Sequence, residues 1–270
     1  QPLAEVLPFV DVSDESQPAH GRRITLTNST GAGRVIEQTR SPIPSVDGSG
    51  GFVWVFRDVT DAVRLDHFIG FVRNWEVPGG DKTAENGSWA SVPGREFFTM
   101  LRSRIGHLPV IAEDLGSLTA EVEVLRDEFG FPGMRILQYA FGGDAFNRDL
   151  PHNYPQNCVA YTGTHDNDTI AGWYASAPKN VKTHCRKYLE ITGKNIHWDL
   201  IRAALASVAD TTIIPAQDLL GLGTGSRMNT PATASGNWEW RLKDGQLTDE
   251  VCEKLLDLTV TFGRTHSRES

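Results

Sequence analysis

The sequence predicts an α/β protein in which a small antiparallel β unit precedes a parallel sheet wrapped by helices. Three observations lead there. Residues 1–60 hold short apolar runs broken by Gly, Pro, Ser and Asp. From Asp61 onward, short apolar segments alternate with longer stretches of helical periodicity. No hairpin signal joins the later apolar segments, so successive strands need helical crossovers and lie parallel.

In the first zone, residues 24–26, 34–37 and 51–56 read as strands. Gly31-Ala32-Gly33 and Asp47-Gly48-Ser49-Gly50 read as their turns. Such a unit is too short to carry much core alone. In the second zone the strands fall at 62–65, 108–112, 134–137, 158–161 and 212–216. Helical stretches lie between or beside them at 94–104, 118–128, 169–177, 180–191 and 198–209. No internal repeat is visible.

Composition narrows the function. Across 270 residues, Lys plus Arg is 26 and Asp plus Glu is 34, a net charge of −8. An acidic chain without a Lys/Arg block is a poor partner for nucleic acid or an anionic membrane. No apolar run approaches the ~18 residues of a transmembrane helix. Cys158, Cys185 and Cys252 are scattered and form no CxxC. This argues against a disulfide framework or zinc knuckle and fits reduced thiols in a cytoplasmic protein. No secretory signal precedes residue 20, and the first residue is Gln1 rather than Met, as in a chain lacking its native start. Seven Trp and five Tyr fit a cleft for flat-faced ligands such as sugars, core packing being their other use.

The residues just beyond each strand are the informative ones. Strand 62–65 runs into Asp66-His67, and strand 108–112 into Glu113-Asp114. Strand 158–161 runs into Thr164-His165-Asp166-Asn167, and strand 212–216 into Gln217-Asp218. Ligands bind at the carboxyl ends of parallel strands. A lone polar cluster there would only cap the next helix, but four point to one shared site.

Two chemistries use such carboxylates. A metal site would draw on Asp66, His67, Glu113, His165 and Asp166. Against it, each His is adjacent to its Asp, and neighbours at a strand end face opposite sides. Glycosyl chemistry needs a carboxylate nucleophile and a carboxylic acid proton donor. A third carboxylate can bind sugar hydroxyls and offset positive charge in the transition state. Asp66, Glu113 and Asp166 supply the three. Arg64 lies two residues before Asp66, hence on the same side of the strand, and an Arg beside a carboxylate favours its ionised form. Glu113 follows the apolar Val110-Ile111-Ala112, and an apolar approach helps a carboxyl keep its proton.

The same residues resemble a known family. Arg64-Leu65-Asp66-His67-Phe68-Ile69-Gly70-Phe71 is similar to the nucleophile motif of the 4-α-glucanotransferases, the amylomaltases or disproportionating enzymes. Trp75-Glu76-Val77-Pro78 and Thr83-Ala84-Glu85-Asn86-Gly87-Ser88-Trp89 resemble the segment after it, and Ala112-Glu113-Asp114-Leu115-Gly116 the acid/base motif. Phe131-Pro132-Gly133-Met134-Arg135-Ile136-Leu137-Gln138-Tyr139-Ala140-Phe141 resembles the next strand. Tyr161-Thr162-Gly163-Thr164-His165-Asp166-Asn167-Asp168-Thr169 resembles the third-carboxylate motif. Arg227-Met228-Asn229-Thr230-Pro231 and Asn237-Trp238-Glu239-Trp240-Arg241 resemble the C-terminal end. The motifs stand in the family's order and cover about residues 61–245.

The resemblance implies an incomplete (β/α)8 TIM-type barrel, strands four to eight, across residues 61–270. It implies a retaining transferase that moves α-1,4-glucan segments from a maltooligosaccharide donor to a sugar acceptor. Asp66 would attack the anomeric carbon, Glu113 would serve as acid/base, and Asp166 would stabilise the transition state. Arg64, His165 and Asn229 would hold the sugar at the cleavage point, with Phe141 and Asp144 lining the acceptor side. No metal or organic cofactor is implied. Ile69 and Asn74 stand where the family carries Arg and Tyr. With strands one to three absent, little transfer is expected from these 270 residues alone.

Residues 1–60 resemble the closing half of a bacterial PAS sensor domain, through Pro2-Leu3-Ala4-Glu5-Val6-Leu7, Ser41-Pro42-Ile43 and the ending Val55-Phe56-Arg57-Asp58-Val59-Thr60. The chain then reads as a junction of two partial domains. The alternative function is a PAS-linked sensory or interaction protein with a non-catalytic barrel fragment.

Overall fold

The computed structural model describes residues 22–27, 33–43, 51–58, 62–116 and 119–264, the first three segments as backbone only. The chain divides into two compact units at Val63/Arg64. In the first, β1 (Arg22–Thr27), β2 (Gly33–Ile43) and β3 (Gly51–Asp58) form an antiparallel sheet in chain order. Ile24 lies opposite Ile36, and Thr39 opposite Val55. Gly31-Ala32, Asp47-Gly48-Ser49-Gly50, the PAS-like stretch 2–7 and residues 59–61 lie outside the described residues.

The second unit is built on β4 (Val63–Leu65), from its second residue onward, and on β7 (Val110–Ala112), β8 (Gly133–Ile136), β9 (Cys158–Tyr161) and β10 (Thr211–Ile213). β8, β9 and β10 are parallel, with Met134 and Thr211 both in register with Val159. β4 pairs with β7, and Glu113 N donates to Leu65 O at 2.9 Å. Ala112 N donates to Pro132 O, also at 2.9 Å, tying β7 to the start of β8. Strands therefore follow one another in chain order, as in a barrel wall. β8 and β9 are buried at every position, as strands covered on both faces must be.

Helices α1 (Gly94–Ile105), α2 (Ala120–Glu128), α3 (Ile170–Ser176), α4 (Lys179–Leu189) and α5 (Ile196–Leu205) carry the crossovers. Short α6 (Ala216–Leu219) follows β10, and α7 (Asp249–Thr261) closes the chain. Leu137, Phe141, Leu150, Ile170, Leu200 and Ile201 form one apolar core. Phe68, Phe98, Val122 and Phe131 anchor a second, in which the Phe98 ring lies 5.7 Å from Phe68 and 5.1 Å from Phe131.

Three differences from the sequence reading have physical causes. The stretch after Asp66 contains an antiparallel pair, β5 (Arg73–Glu76) and β6 (Ser88–Ser91). Their connection is too long for a tight-turn signal, and Trp75 Nε1 closes it by donating to Ala84 O at 2.9 Å. α7 has no counterpart among the expected helices, although Thr248 caps it by accepting from Val251 N. Strand 212–216 ends early because Pro215 opens α6. Position 118, the expected start of α2, lies outside the described residues.

One polar cluster joins β7 to β8. Asp114 is buried, and its Oδ2 accepts from Arg126 and, at 2.7 Å, from Arg148. Its Oδ1 accepts from Met134 N at 2.7 Å. A Cβ on Gly133 would stand 2.4 Å from Asp114 Oδ2, so the close approach needs glycine. Removing one partner of a buried ion pair leaves an uncompensated charge, so Asp114→Ala is expected to lower the unfolding free energy by about 3–5 kcal/mol. Urea unfolding monitored by circular dichroism measures it. A loss under about 1 kcal/mol, the range of exposed pairs, would mean that the cluster does not hold the strands together.

Candidate active site

The end of β4 delivers Asp66 to the rim. Arg64 NH2 lies 2.8 Å from Asp66 Oδ1, so the exposed carboxylate faces a fixed cation. Alternation along the strand places both side chains on one side. Arg64 NH1 also reaches Met134 Sδ at 4.0 Å. The chain then turns through His67, at φ 50 and ψ 52. Left-handed backbone costs a non-glycine residue roughly 1–2 kcal/mol. Phe68, fully buried in the second core, offsets that cost.

The same turn aims His67 N–H at the neighbouring strand end. It donates to Glu113 Oε2 at 2.7 Å, while Leu115 N donates to Oε1 at 3.0 Å. Burial raises the Glu113 carboxyl above its ordinary value, and the Asp66 charge adds to the rise. The two backbone amides and Arg64 oppose it. The net direction is upward, the direction in which a general acid is tuned.

Asp166 sits on the loop after β9. Asn229 Nδ2 donates to its Oδ1 at 2.6 Å, and His165 Nε2 lies 3.3 Å from Oδ2. Arg227 NH2 donates to Asp166 O at 2.9 Å, and Asn229 N donates to His165 O at 3.1 Å. The Trp238 ring lies 5.0 Å from the His165 ring. Thr164, His165, Asp168, Gln217, Arg227 and Trp238 line a cavity of about 270 Å³.

Thus Asp66, Glu113 and Arg64 form one group, and Asp166, His165 and Asn229 another. Phe141 does not belong with them, which corrects the expectation that it lines the acceptor side. It is 1% exposed and packs against Trp173, His184 and Tyr188. The 3₁₀ turn Leu137–Gly142 directs it inward and leaves Tyr139 outside. Tyr139 is 48% exposed and its hydroxyl accepts from Asn167 Nδ2 at 3.0 Å, a rim aromatic that sequence reasoning does not single out. Asp144 is exposed and its Oδ1 accepts from Phe146 N at 2.9 Å, closing a turn. Ile69 packs on the second core, and Asn74 lies opposite Ala90 in the β5–β6 pair.

The sequence marks Asp218 only as a strand-end residue. It is buried, and its carboxyl is pushed up to about 6, chiefly by burial and further by Asp168. Its bonds to Ile170 N and the Thr162 hydroxyl oppose the shift. Among the described residues, no three His, Cys, Asp or Glu side chains are grouped to hold a metal ion.

Carboxyl groups in such unequal settings at parallel strand ends are the equipment of glycosidic-bond chemistry. The chain belongs to the 4-alpha-glucanotransferase family, glycoside hydrolase family 77, which matches residues 55–248. It is 49% identical over 223 residues to a 4-alpha-glucanotransferase of Synechocystis, covering 79% of this chain and 44% of that protein. A Clostridium butyricum 4-alpha-glucanotransferase is 47% identical over 206 residues, covering 76% and 42%. An amylomaltase from Streptococcus agalactiae, solved with acarbose, superposes with a TM-score of 0.70 at 34% identity, over 83% of this chain and 50% of that one. The amylomaltase of Corynebacterium glutamicum shares the fold at 15% identity and a TM-score of 0.59, over 74% and 35%. The chain therefore spans less than half the length of these two curated relatives.

The Glu113 environment makes a signed prediction. Carboxyl ¹³C NMR should place its titration midpoint above 4.5, the ordinary value for the group. Asp66→Asn removes a neighbouring negative charge and should lower the midpoint. Arg64→Ala removes a positive one and should raise it. Midpoints that stay where they are in both variants would show that Glu113 does not sense this pair.

Proposed function

We propose that this chain carries the catalytic carboxylates of a 4-alpha-glucanotransferase. The enzyme moves α-1,4-glucan segments from a maltooligosaccharide donor to a sugar acceptor by retaining double displacement. The observation that carries the reading is the unequal pair. Asp66 faces a cation at the open rim, while beside it Glu113 is half buried, and burial raises its carboxyl above the ordinary value. Asp66 attacks the anomeric carbon as Glu113 protonates the departing oxygen. Glu113 then takes the proton of an incoming sugar hydroxyl, which attacks the same carbon and releases Asp66. Asp166 faces the positive charge that develops on the sugar in the transition state of each step. Its cradle of Asn229 and His165 supports that role and, with Arg64, supplies donors for sugar hydroxyls.

The barrel reading extends to the count. β4, β7, β8, β9 and β10 are proposed as strands four to eight of a TIM-type barrel, supported by their chain order and by the superposition on half of an amylomaltase. For residues 1–60 the proposal is a partial PAS-like segment, supported by the antiparallel order β1-β2-β3. The proposed location is the cytoplasm, supported by free Cys158, Cys185 and Cys252. Among the described residues no helix is long and apolar enough to cross a membrane.

Chromatography of the products formed from maltotriose tests the function. Glucose together with maltodextrins longer than the substrate is the expected result, and hydrolysis to glucose and maltose alone would contradict transfer. Glu113→Gln should lower the rate by about 10²–10⁴-fold, the usual contribution of a general acid/base group. Asp66→Asn should be at least as damaging, because no glycosyl ester can form. Every proton in the scheme moves through Glu113, so a chelator should leave the rate unchanged, and loss restored by zinc would favour a metal mechanism instead.

A further inference from the structure

The loop that carries His165 and Asp166 leaves β9 at Thr162 and enters α3 at Ile170. One side chain from outside the loop bonds to both ends. Asp218, in α6 after β10, is 2% exposed. Its Oδ2 accepts from Thr162 Oγ1 at 2.6 Å, and its Oδ1 accepts from Ile170 N at 2.7 Å. Thr162 and Ile170 are themselves fully buried, so water offers neither donor an alternative. Hydrogen bonds to a carboxylate are short and strong, and a buried donor left without one is costly.

We propose that Asp218 is a positioning residue for Asp166, its carboxylate bridging the two ends of the loop and so fixing where the third rim carboxylate stands. The proposal rests on the reading of Asp166 as the group that faces transition-state charge. Other bonds shape the interior of the loop. Thr164 N donates to Asn167 Oδ1 at 2.8 Å, and Gln138 Nε2 donates to Asp168 O at 2.7 Å. A Cβ on Gly163 would meet Gln138 Nε2 at 2.6 Å, so that side chain packs directly on the backbone. These contacts set the curve of the loop, while Asp218 sets the distance between its ends. Asp218 is fixed in turn, because Asp218 N donates to Pro215 O at 3.0 Å as β10 gives way to α6.

The bond pattern ranks the variants. Asparagine can accept from Ile170 N with its carbonyl and donate its NH₂ to Thr162 Oγ1, reversing one bond and keeping both links. Alanine keeps neither, and Thr162→Val removes one. Amide NMR and maltotriose disproportionation on the same chain read the result. Asp218→Ala should shift the amide signals of residues 164–167 and speed their hydrogen exchange at least tenfold, with Met134 N, held by Asp114, unchanged. Thr162→Val should do so less, and Asp218→Asn should stay near the parent. In kinetics, Asp218→Ala should lower kcat about tenfold, as displaced catalytic groups do, with KM within about threefold. Added to Asp166→Asn it should cost little more, because the two act through one group.

The proposal is overturned if the loop amides stay in place in folded Asp218→Ala and Thr162→Val. An equal kcat loss from Asp218→Ala with and without Asp166 also overturns it. If Asp218→Ala does not fold, Thr162→Val carries the amide test. A parent chain that does not transfer glucan would defeat the functional reading, and the amides would still decide whether Asp218 holds the loop.

Discussion

Asp114 is enclosed between β7 and β8, where Arg126 and Arg148 donate to one of its oxygens and Met134 N to the other. Both the sheet and the rim depend on this arrangement. β7 meets β8 through few backbone bonds, so the carboxylate supplies an acceptor that the ladder does not. Glu113 is its neighbour in the chain, and fixing Asp114 fixes the strand end from which Glu113 projects. The approach is close enough that position 133 has no space for a Cβ.

The device recurs along the sheet. Asp149 Oδ1 accepts from Ile136 N at 2.8 Å at the end of β8, and Asp218 bridges Thr162 and Ile170 beside β9. Burial raises the carboxyls of both Asp149 and Asp218. A raised acid contributes stability that is complete below its unfolded value, 3.8 for Asp218, and lost as pH climbs through about 6. At neutral pH Asp218 therefore weakens the fold through its own ionisation, and Asp149 acts in the same direction as its carboxyl ionises. Their value lies in where they hold the strand ends and the loops beyond them. Geometry is what the rim requires, since small displacements of catalytic groups cost large factors in rate.

Much of this is legible in the sequence because parallel strands advertise their ends. The strand at 158–161 falls at the observed bounds, since Cys158-Val159-Ala160-Tyr161 is apolar throughout and polar residues close behind it end the run. Asp66, Glu113 and Asp166 are visible for the same reason, each coming after an apolar segment. Orientation set by distant packing is not legible. Phe141 and Tyr139 lie two residues apart in one 3₁₀ turn, and the core rather than the local pattern decides which ring faces in. The burial of Asp114, Asp149 and Asp218 is likewise hidden, since each depends on donors supplied by a neighbouring strand or helix. β5 and β6 escape a sequence reading because their pairing is closed by Trp75 across a long connection. α7 does carry readable signals, the Thr248 cap and the spacing of Val251, Leu255 and Leu258, which the strand-by-strand pattern passes over.

The proposal that Asp66 and Glu113 divide the chemistry rests on the difference between their surroundings, and on it the whole functional account turns. Mass spectrometry of Glu113→Gln treated with maltosyl fluoride tests it most directly. Fluoride departs without a proton, so a glycosyl ester can form, and the missing base slows its release to an acceptor. The account predicts a maltosyl adduct on the peptide that contains Asp66, absent when Asp66→Asn is added. An adduct on another carboxylate, or one that survives Asp66→Asn, would contradict it.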